Sequence, residues 1–244
     1  MKTTINREAM VRDLVIEIPR SDELFKQYRI DFCCGGKRPL NEVIAEKNLD
    51  EATILQALQT LFENAKERSE NDRKDWTTAS YGSLINHVVK QHHGYLAEEL
   101  PDLSFYVTKI FRVHGSSHPE LKELHTLFHH LKLELEQHMV KEEQIVFPAI
   151  YQYEQSQTQS DYDEAVKRID ELEAEHEAAG SLLKKIRHIT NDFTLPEGAC
   201  TTYKLTFTRL EALESDMFQH IHLENNILFP QLKLEFDQQD STVG

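Results

Sequence analysis

Apolar residues recur along this chain at steps of three and four over long stretches, and they hardly anywhere alternate. One such row runs Leu121, Leu124, Phe128, Leu131, Leu135, His138, Glu142, Ile145, Ala149. A second runs Leu210, Leu213, Met217, His220, Glu224, Ile227, and a third Ile169, Leu172, His176, Ala179, Leu183, Ile186. The spacing predicts four long helices. The first runs from Ser80 to Val113 with a kink at Pro101, and the second from Ser117, where "SHPE" reads as a capping box, to Phe147. The third runs from Asp161 to Thr190 and the fourth from Glu197 to Phe229. Short connections between long amphipathic helices define an antiparallel four-helix bundle, so the fold class is all-α.

Upstream the pattern shortens. Ser21 is expected to cap "DELFKQYRI", "PLNEVIAEKN" forms a second helix, and Asp50 caps "EATILQALQTLFENA". Between the first two lies "DFCCGGKR", a turn with paired glycines. The stretch "KERSENDRKDW" carries charge without an apolar face and reads as a linker. Two domains follow: 1–75, a small helical domain with the CCGG turn and the linker, and 76–244, the bundle.

Each long row is interrupted by residues that do not belong in a core. An isolated HxxxE is ordinarily an i,i+4 polar pair on a solvated face. Here the pair sits on the apolar row itself, where a carboxylate would suffer several kcal/mol of desolvation unless bound to a cation. The pattern also occurs twice, as "HMVKEEQIVFP" at 138–148 and "HIHLENNILFP" at 220–230. His176 stands alone on the third row, and the first helix offers the doublet His92 and His93. Position 93 is 45 residues before 138, as 176 is 44 before 220, which makes the chain a repeated helix pair and favours His93. His92 has an apolar residue one turn before it as well, so periodicity alone leaves the doublet open. Four imidazoles and two carboxylates exceed the needs of one tetrahedral zinc and contain no thiolate. Two irons bridged by both carboxylates and by an oxo or hydroxo group would use every donor. Dimanganese or mixed iron and zinc satisfies the same set.

Composition narrows the partners. With 27 Lys plus Arg against 42 Asp plus Glu, the formal net charge is −15, which disfavours nucleic acid and anionic membranes and suits cations. No apolar run approaches membrane-spanning length, and the first thirty residues contain no secretory-type stretch. Three cysteines, two of them adjacent, form no disulfide framework, so the expected location is cytoplasmic.

The bundle resembles a hemerythrin-like domain, and the whole chain resembles the iron-sulfur cluster repair di-iron proteins of the RIC or ScdA type. "IPRSDELFKQYRIDFCCGGKRPL" is similar to that family's N-terminal domain, the two HxxxE segments to its ligand motifs, "EAEHEAAG" to its third-helix ligand segment, and "ACTTYK" to a further family pattern. The resemblance implies iron ligands at His93, His138, Glu142, His176, His220 and Glu224. It implies a role in restoring iron-sulfur clusters damaged by nitrosative or oxidative stress, by supplying iron, with damaged iron-sulfur proteins as partners. The competing expectations are a di-iron enzyme that reduces nitric oxide and a sensor that binds oxygen or nitric oxide. A homodimer is the expected assembly if the chain associates.

Cys33 and Cys34 precede two glycines and lie near Lys37 and Arg38, so cations and turn amides are expected to favour thiolate. The bland alternative is that one of them merely packs. The resemblance implies redox or iron-transfer chemistry for the pair. Cys200 is expected to pack near the start of the fourth helix. His87, His114, His118, His125, His129, His130, His188 and His222 lack both row position and repeat symmetry and are expected on the surface or flanking the site.

Overall fold

A computed structural model describes residues 5–67 and 76–240, the side chains of 66–67 and 235–240 excepted. Most of the expected linker therefore lies outside the described residues. Contacts divide the chain into two compact units, 80–220 and 1–79 together with 221–244. Among the described residues the secondary structure is helical, with an isolated antiparallel bridge between Met10 and Pro39.

In unit 80–220 the helices fall close to the expected places. Ser80 accepts a hydrogen bond from the Ser83 backbone N–H at 3.2 Å, opening a helix that continues over residues 81–114. Pro101 lies inside it without ending it. The carbonyl its missing N–H leaves over belongs to Ala97, on the exposed side, where water can serve it. The second long helix covers 120–156, and it begins at Glu120 after Pro119 instead of at a Ser117 capping box. Gly115 N–H and His118 N–H bond back to Phe111 O and His114 O, so residues 115–118 close the first helix and cannot start the second. Glu120 and Glu123 then place negative charge on the first turn, where the helix dipole favours it.

The third segment arrives as two helices, Gln159–Val166 and Ile169–Ile189. The shorter one, capped by the Thr158 hydroxyl on the Asp161 N–H, buries Tyr162 against Tyr153, ring centroids 5.4 Å apart. Helix Ile169–Ile189 and the segment Gly94–His114 both pack on Glu120–Lys141. Every residue of the three sequence rows up to Glu142 and Ile227 is buried. The fourth long helix begins at Thr201 and runs to Asp240, so its end belongs to the other unit.

Unit 1–79 with 221–244 contains helices Val11–Glu17, Ser21–Gln27, Leu40–Glu46 and Glu51–Glu67. The first, seven residues that bury only Val11 and Leu14, is too short to show a period. Asp50 Oδ2 does accept from the Thr53 N–H at 3.2 Å. Ser21 is not a cap: it is buried, and its hydroxyl donates to the carbonyls of Leu14 and Ile18 at 3.0 and 2.7 Å. Phe25, Ile30, Phe32, Leu40, Ile54 and Leu58 make a core with no solvent exposure.

Among the described residues no helix is long and apolar enough to cross a membrane.

Candidate metal centre

Three of the long helices widen by one residue where the proposed donors lie, at Val88–His93, Glu142–Val146 and Glu224–Leu228. A π turn of this kind inserts one residue into the helical period and is frequent at functional sites. It explains one departure from the expected row. After Glu142 the buried positions are Val146, Phe147 and Ile150, and Ile145 is 44 % exposed. In the first helix the wide turn lets both His92 and His93 bury.

The donors form two groups that share their carboxylates. His93, Glu142, His220 and Glu224 make one, and His138, Glu142, His176 and Glu224 the other; within each, the donor atoms lie within 4.8 Å of one another. Glu142, with no exposure, is divided between them. Its Oε2 lies 3.1 Å from His93 Nε2 and 4.0 Å from His220 Nε2, and its Oε1 lies 3.1 Å from His138 Nε2 and 4.0 Å from His176 Nε2. Glu224, also without exposure, stands one turn after His220 on the same helix.

Further carboxylates orient the imidazoles. His93 Nδ1 is 2.8 Å from Glu143 Oε1, and His138 Nδ1 is 2.8 Å from Glu175 Oε2. A ring that donates from Nδ1 keeps its proton there and presents a lone pair at Nε2, the tautomer a metal requires. His138 Nε2 and His176 Nε2 approach to 2.8 Å, so two donors converge on one point. His92, the other member of the doublet, turns away: its Nδ1 faces Asp216 Oδ1 at 2.9 Å, and its ring stacks on that of His220 at 5.5 Å.

This donor set fits a pair of metal ions. Two fully buried carboxylates surrounded by imidazoles, with no cysteine in either group, would cost several kcal/mol of desolvation each without a compensating cation. Two dications would more than offset them.

Burial pushes the Glu175 carboxyl up, but hydrogen bonds from Lys141 and His138 outweigh it and hold the carboxyl below its ordinary range. The stability that ionised Glu175 contributes is therefore complete above that range and is lost as pH falls through the lowered value. Glu175→Gln is expected to flatten this acid-side loss in melting temperature measured against pH. It should also weaken metal binding by about 10–100-fold, the usual effect of removing a carboxylate behind a ligating histidine. Unchanged affinity in a metal titration would mean that the Glu175 contact does not orient His138.

The thiols differ from expectation. Cys33 is buried, and its Sγ lies 3.3 Å from Asp31 Oδ1 and 3.8 Å from Cys34 Sγ. Burial, the hydrogen bond with Cys34 and the Asp31 charge push the Cys33 thiol well above its usual value, so the turn does not favour thiolate there. Arg38, expected nearby as an activating cation, pairs with Glu46 at 2.6 Å. Cys200 is exposed, with His114 Nε2 3.3 Å from its sulfur, and is not a packing residue.

His222 is buried, and burial followed by the Lys26 charge lowers its pKa to about 4. It lies edge-on to the Phe32 ring at 5.7 Å, while Asn226 Nδ2 donates to Phe32 O at 3.1 Å. A signal for this was present in the repeat. Val140, Lys141, Glu143 and Gln144 of the first copy are matched by His222, Leu223, Asn225 and Asn226 in the second, which removes both charges. Val140 is 62 % exposed, whereas residues 221–229 are all buried. Asp31, Glu143, Glu175 and Asp216 carried no periodic signal, because each meets its partner through the fold or a turn.

A helical bundle holding two buried His/Glu groups with shared carboxylates defines a hemerythrin-type cation-binding protein. Residues 84–232 match the family described as Hemerythrin HHE cation binding domain. Residues 7–62 match a Domain of Unknown function (DUF542). The chain belongs to the iron-sulfur cluster repair protein family. It is 40 % identical over 224 residues to the iron-sulfur cluster repair protein YtfE of Citrobacter koseri, an alignment covering 92 % of this chain and 96 % of that protein. The same identity and coverage hold for the YtfE proteins of Escherichia coli O8 and Shigella boydii serotype 4.

Proposed function

We propose that this protein restores iron-sulfur clusters damaged by nitrosative or oxidative stress, with iron held by His93, His138, Glu142, His176, His220 and Glu224 as the metal it supplies. The observation that carries the reading is the division of one buried carboxylate, Glu142, between two histidine pairs. That arrangement suits two ions bridged by Glu142 and Glu224, with an oxo or hydroxo group completing the bridge. When bound, such a pair supplies exchangeable ferrous iron and one-electron chemistry. The chain's own part is to hold the His93 and His138 imidazoles in the lone-pair tautomer through Glu143 and Glu175 and to keep water from both carboxylates. Nitrogen and oxygen donors hold ferrous iron less tenaciously than sulfide, so transfer to a damaged cluster runs downhill.

Two functional parts belong to this proposal: 1–75, carrying the thiols, and 76–244, carrying the metal donors. The clients are damaged iron-sulfur proteins, nitric oxide or oxygen is the small ligand that bears on the site, and the protein works in the cytoplasm. Protein loaded with labelled iron and mixed with a nitric-oxide-damaged cluster enzyme is expected to pass label to that enzyme as its activity returns. Return of activity without label would overturn the donor role. Catalytic consumption of nitric oxide by the reduced protein, with no label passed, would establish the nitric oxide reductase reading in its place.

A further inference from the structure

We propose that Asp31, Cys33 and Cys34 form a metal site of their own, which takes one divalent thiophilic cation, of the ferrous or zinc class, through two sulfurs and one carboxylate oxygen. The site goes beyond the repair reading, since its affinity for a cation does not depend on any client.

The three donor atoms lie within 4.8 Å of one another. Two of their spacings match those a small tetrahedral ion requires. With metal–sulfur bonds of about 2.3 Å, two sulfurs on a tetrahedral ion stand about 3.8 Å apart, and a sulfur and a carboxylate oxygen about 3.5 Å. Here the sulfurs are 3.8 Å apart, and Cys33 Sγ is 3.3 Å from Asp31 Oδ1. Two of the three donor pairs therefore stand close to the separations one ion imposes, and Cys34 Sγ lies within 4.8 Å of the carboxylate.

The surrounding sequence holds them in place. The Cys33 N–H donates to Asp31 Oδ1 at 3.2 Å, folding the carboxylate back over the turn. The two glycines make that approach possible. A Cβ on Gly35 would sit 3.2 Å from both Asp31 Cγ and Oδ2, and one on Gly36 would sit 2.3 Å from the Phe32 carbonyl oxygen. Any side chain at 36 would force the turn open. The same carbonyl receives the Asn226 amide, which anchors the peptide immediately before Cys33 to the final helix. Donors fixed in this way lose little freedom on binding a cation.

Three protein donors leave the fourth position of a tetrahedral ion open, as in sites that exchange a ligand and unlike closed structural zinc sites. On binding, two metal–sulfur bonds and one metal–oxygen bond form, and the two thiol protons leave to solvent; no electrons move. Such a site can accept ferrous iron and release it to an incoming thiolate.

The test titrates the metal-free full chain with cobalt(II) under reducing conditions, since the His/Glu donors contain no sulfur and can give no sulfur-to-cobalt band. One equivalent of cobalt is expected to develop the sulfur-to-cobalt charge-transfer band and the intense visible bands of a tetrahedral thiolate complex. Cys34→Ser and Cys33→Ser should each abolish or strongly shift the band. Cys34 is only half-buried, so its variant keeps the test sound if Cys33→Ser fails to fold, as circular dichroism would show. Asp31→Asn should weaken cobalt binding by at least the ~10-fold that loss of a mere supporting carboxylate costs. Cys200→Ser should change nothing.

Absence of the band, its loss only in Cys200→Ser, or undiminished affinity in Asp31→Asn would overturn the site. A clear band in a protein that passes no iron to a damaged enzyme would overturn the repair reading and leave this site standing. Iron transfer without the band would do the reverse.

Discussion

Glu142→Ala is expected to abolish binding of both metal ions together and to reverse the usual sign of a core substitution once metal is removed. Its two oxygens face different histidine pairs, so no single ion keeps a complete donor set without it. A metal analysis that gives two ions per wild-type chain should give close to none in the variant. In the wild type, free metal at about 1,000 times its dissociation constant adds roughly 4 kcal/mol of stability. The variant forfeits that gain. With chelator present the comparison changes, because the wild type then carries a fully buried carboxylate whose desolvation the variant avoids. The chelated variant should melt no lower than the chelated wild type, and the metal-loaded variant well below the metal-loaded wild type. Equal loss of melting temperature with and without metal would mean that Glu142 serves packing and not metal.

The second large effect is expected at Arg187, which takes no part in metal binding. Its Nε donates to both oxygens of Glu214 at 2.8 and 2.9 Å, and its other nitrogens reach Glu214 and, at 2.9 Å, Asp192. Glu214 is buried, and the guanidinium also lies 4.6 Å over the ring of Phe193. Burial lowers the Arg187 pKa, but the hydrogen bonds to Glu214 and Asp192 outweigh it, so the guanidinium stays charged. The turn it holds is strained: Asn191, Asp192 and Phe193 have φ of 48°, 57° and 56°, three successive residues in the left-handed region. Arg187→Ala leaves a buried carboxylate uncompensated and frees that turn, so a loss of about 3–5 kcal/mol is expected in chemical denaturation. Arg187→Lys should recover only part of it, because one ammonium cannot replace a bidentate fork. A loss below about 1 kcal/mol for Arg187→Ala would place this contact among ordinary surface ion pairs.

How much of the centre was legible follows from what each donor depends on. His138 with Glu142, and His220 with Glu224, are one turn apart on one helix, so a period read along the chain aligns them on one row whatever the fold does later. The duplication of that row pointed to two groups in place of one. His92 and His93 were not separable in this way, because the wide turn at Val88–His93 buries both rings and only their partners differ. The expectation of a thiolate at Cys33 failed for a related reason. Sequence proximity suggested Lys37 and Arg38 as neighbours, while the turn brings Asp31 to the sulfur and Arg38 pairs with Glu46.

The sequence by itself determined the helical class, the four long helices, the repeat and the residue types able to hold metal, since all of these rest on the 3.6-residue period and on burial of the row that bears it. Tertiary structure decided the rest. The one-residue insertion after Glu142 turns Val146 and Phe147 inward and leaves Ile145 exposed, whereas after Glu224 the same insertion leaves Ile227 buried, because residues 221–229 are covered on every side. Folding also chose Glu143 and Glu175 as the carboxylates behind His93 and His138, and Phe32 as the partner of Asn226. Pairings of this kind join residues 37 to 194 positions apart, or meet across a wide turn, and a local period carries no information about such encounters.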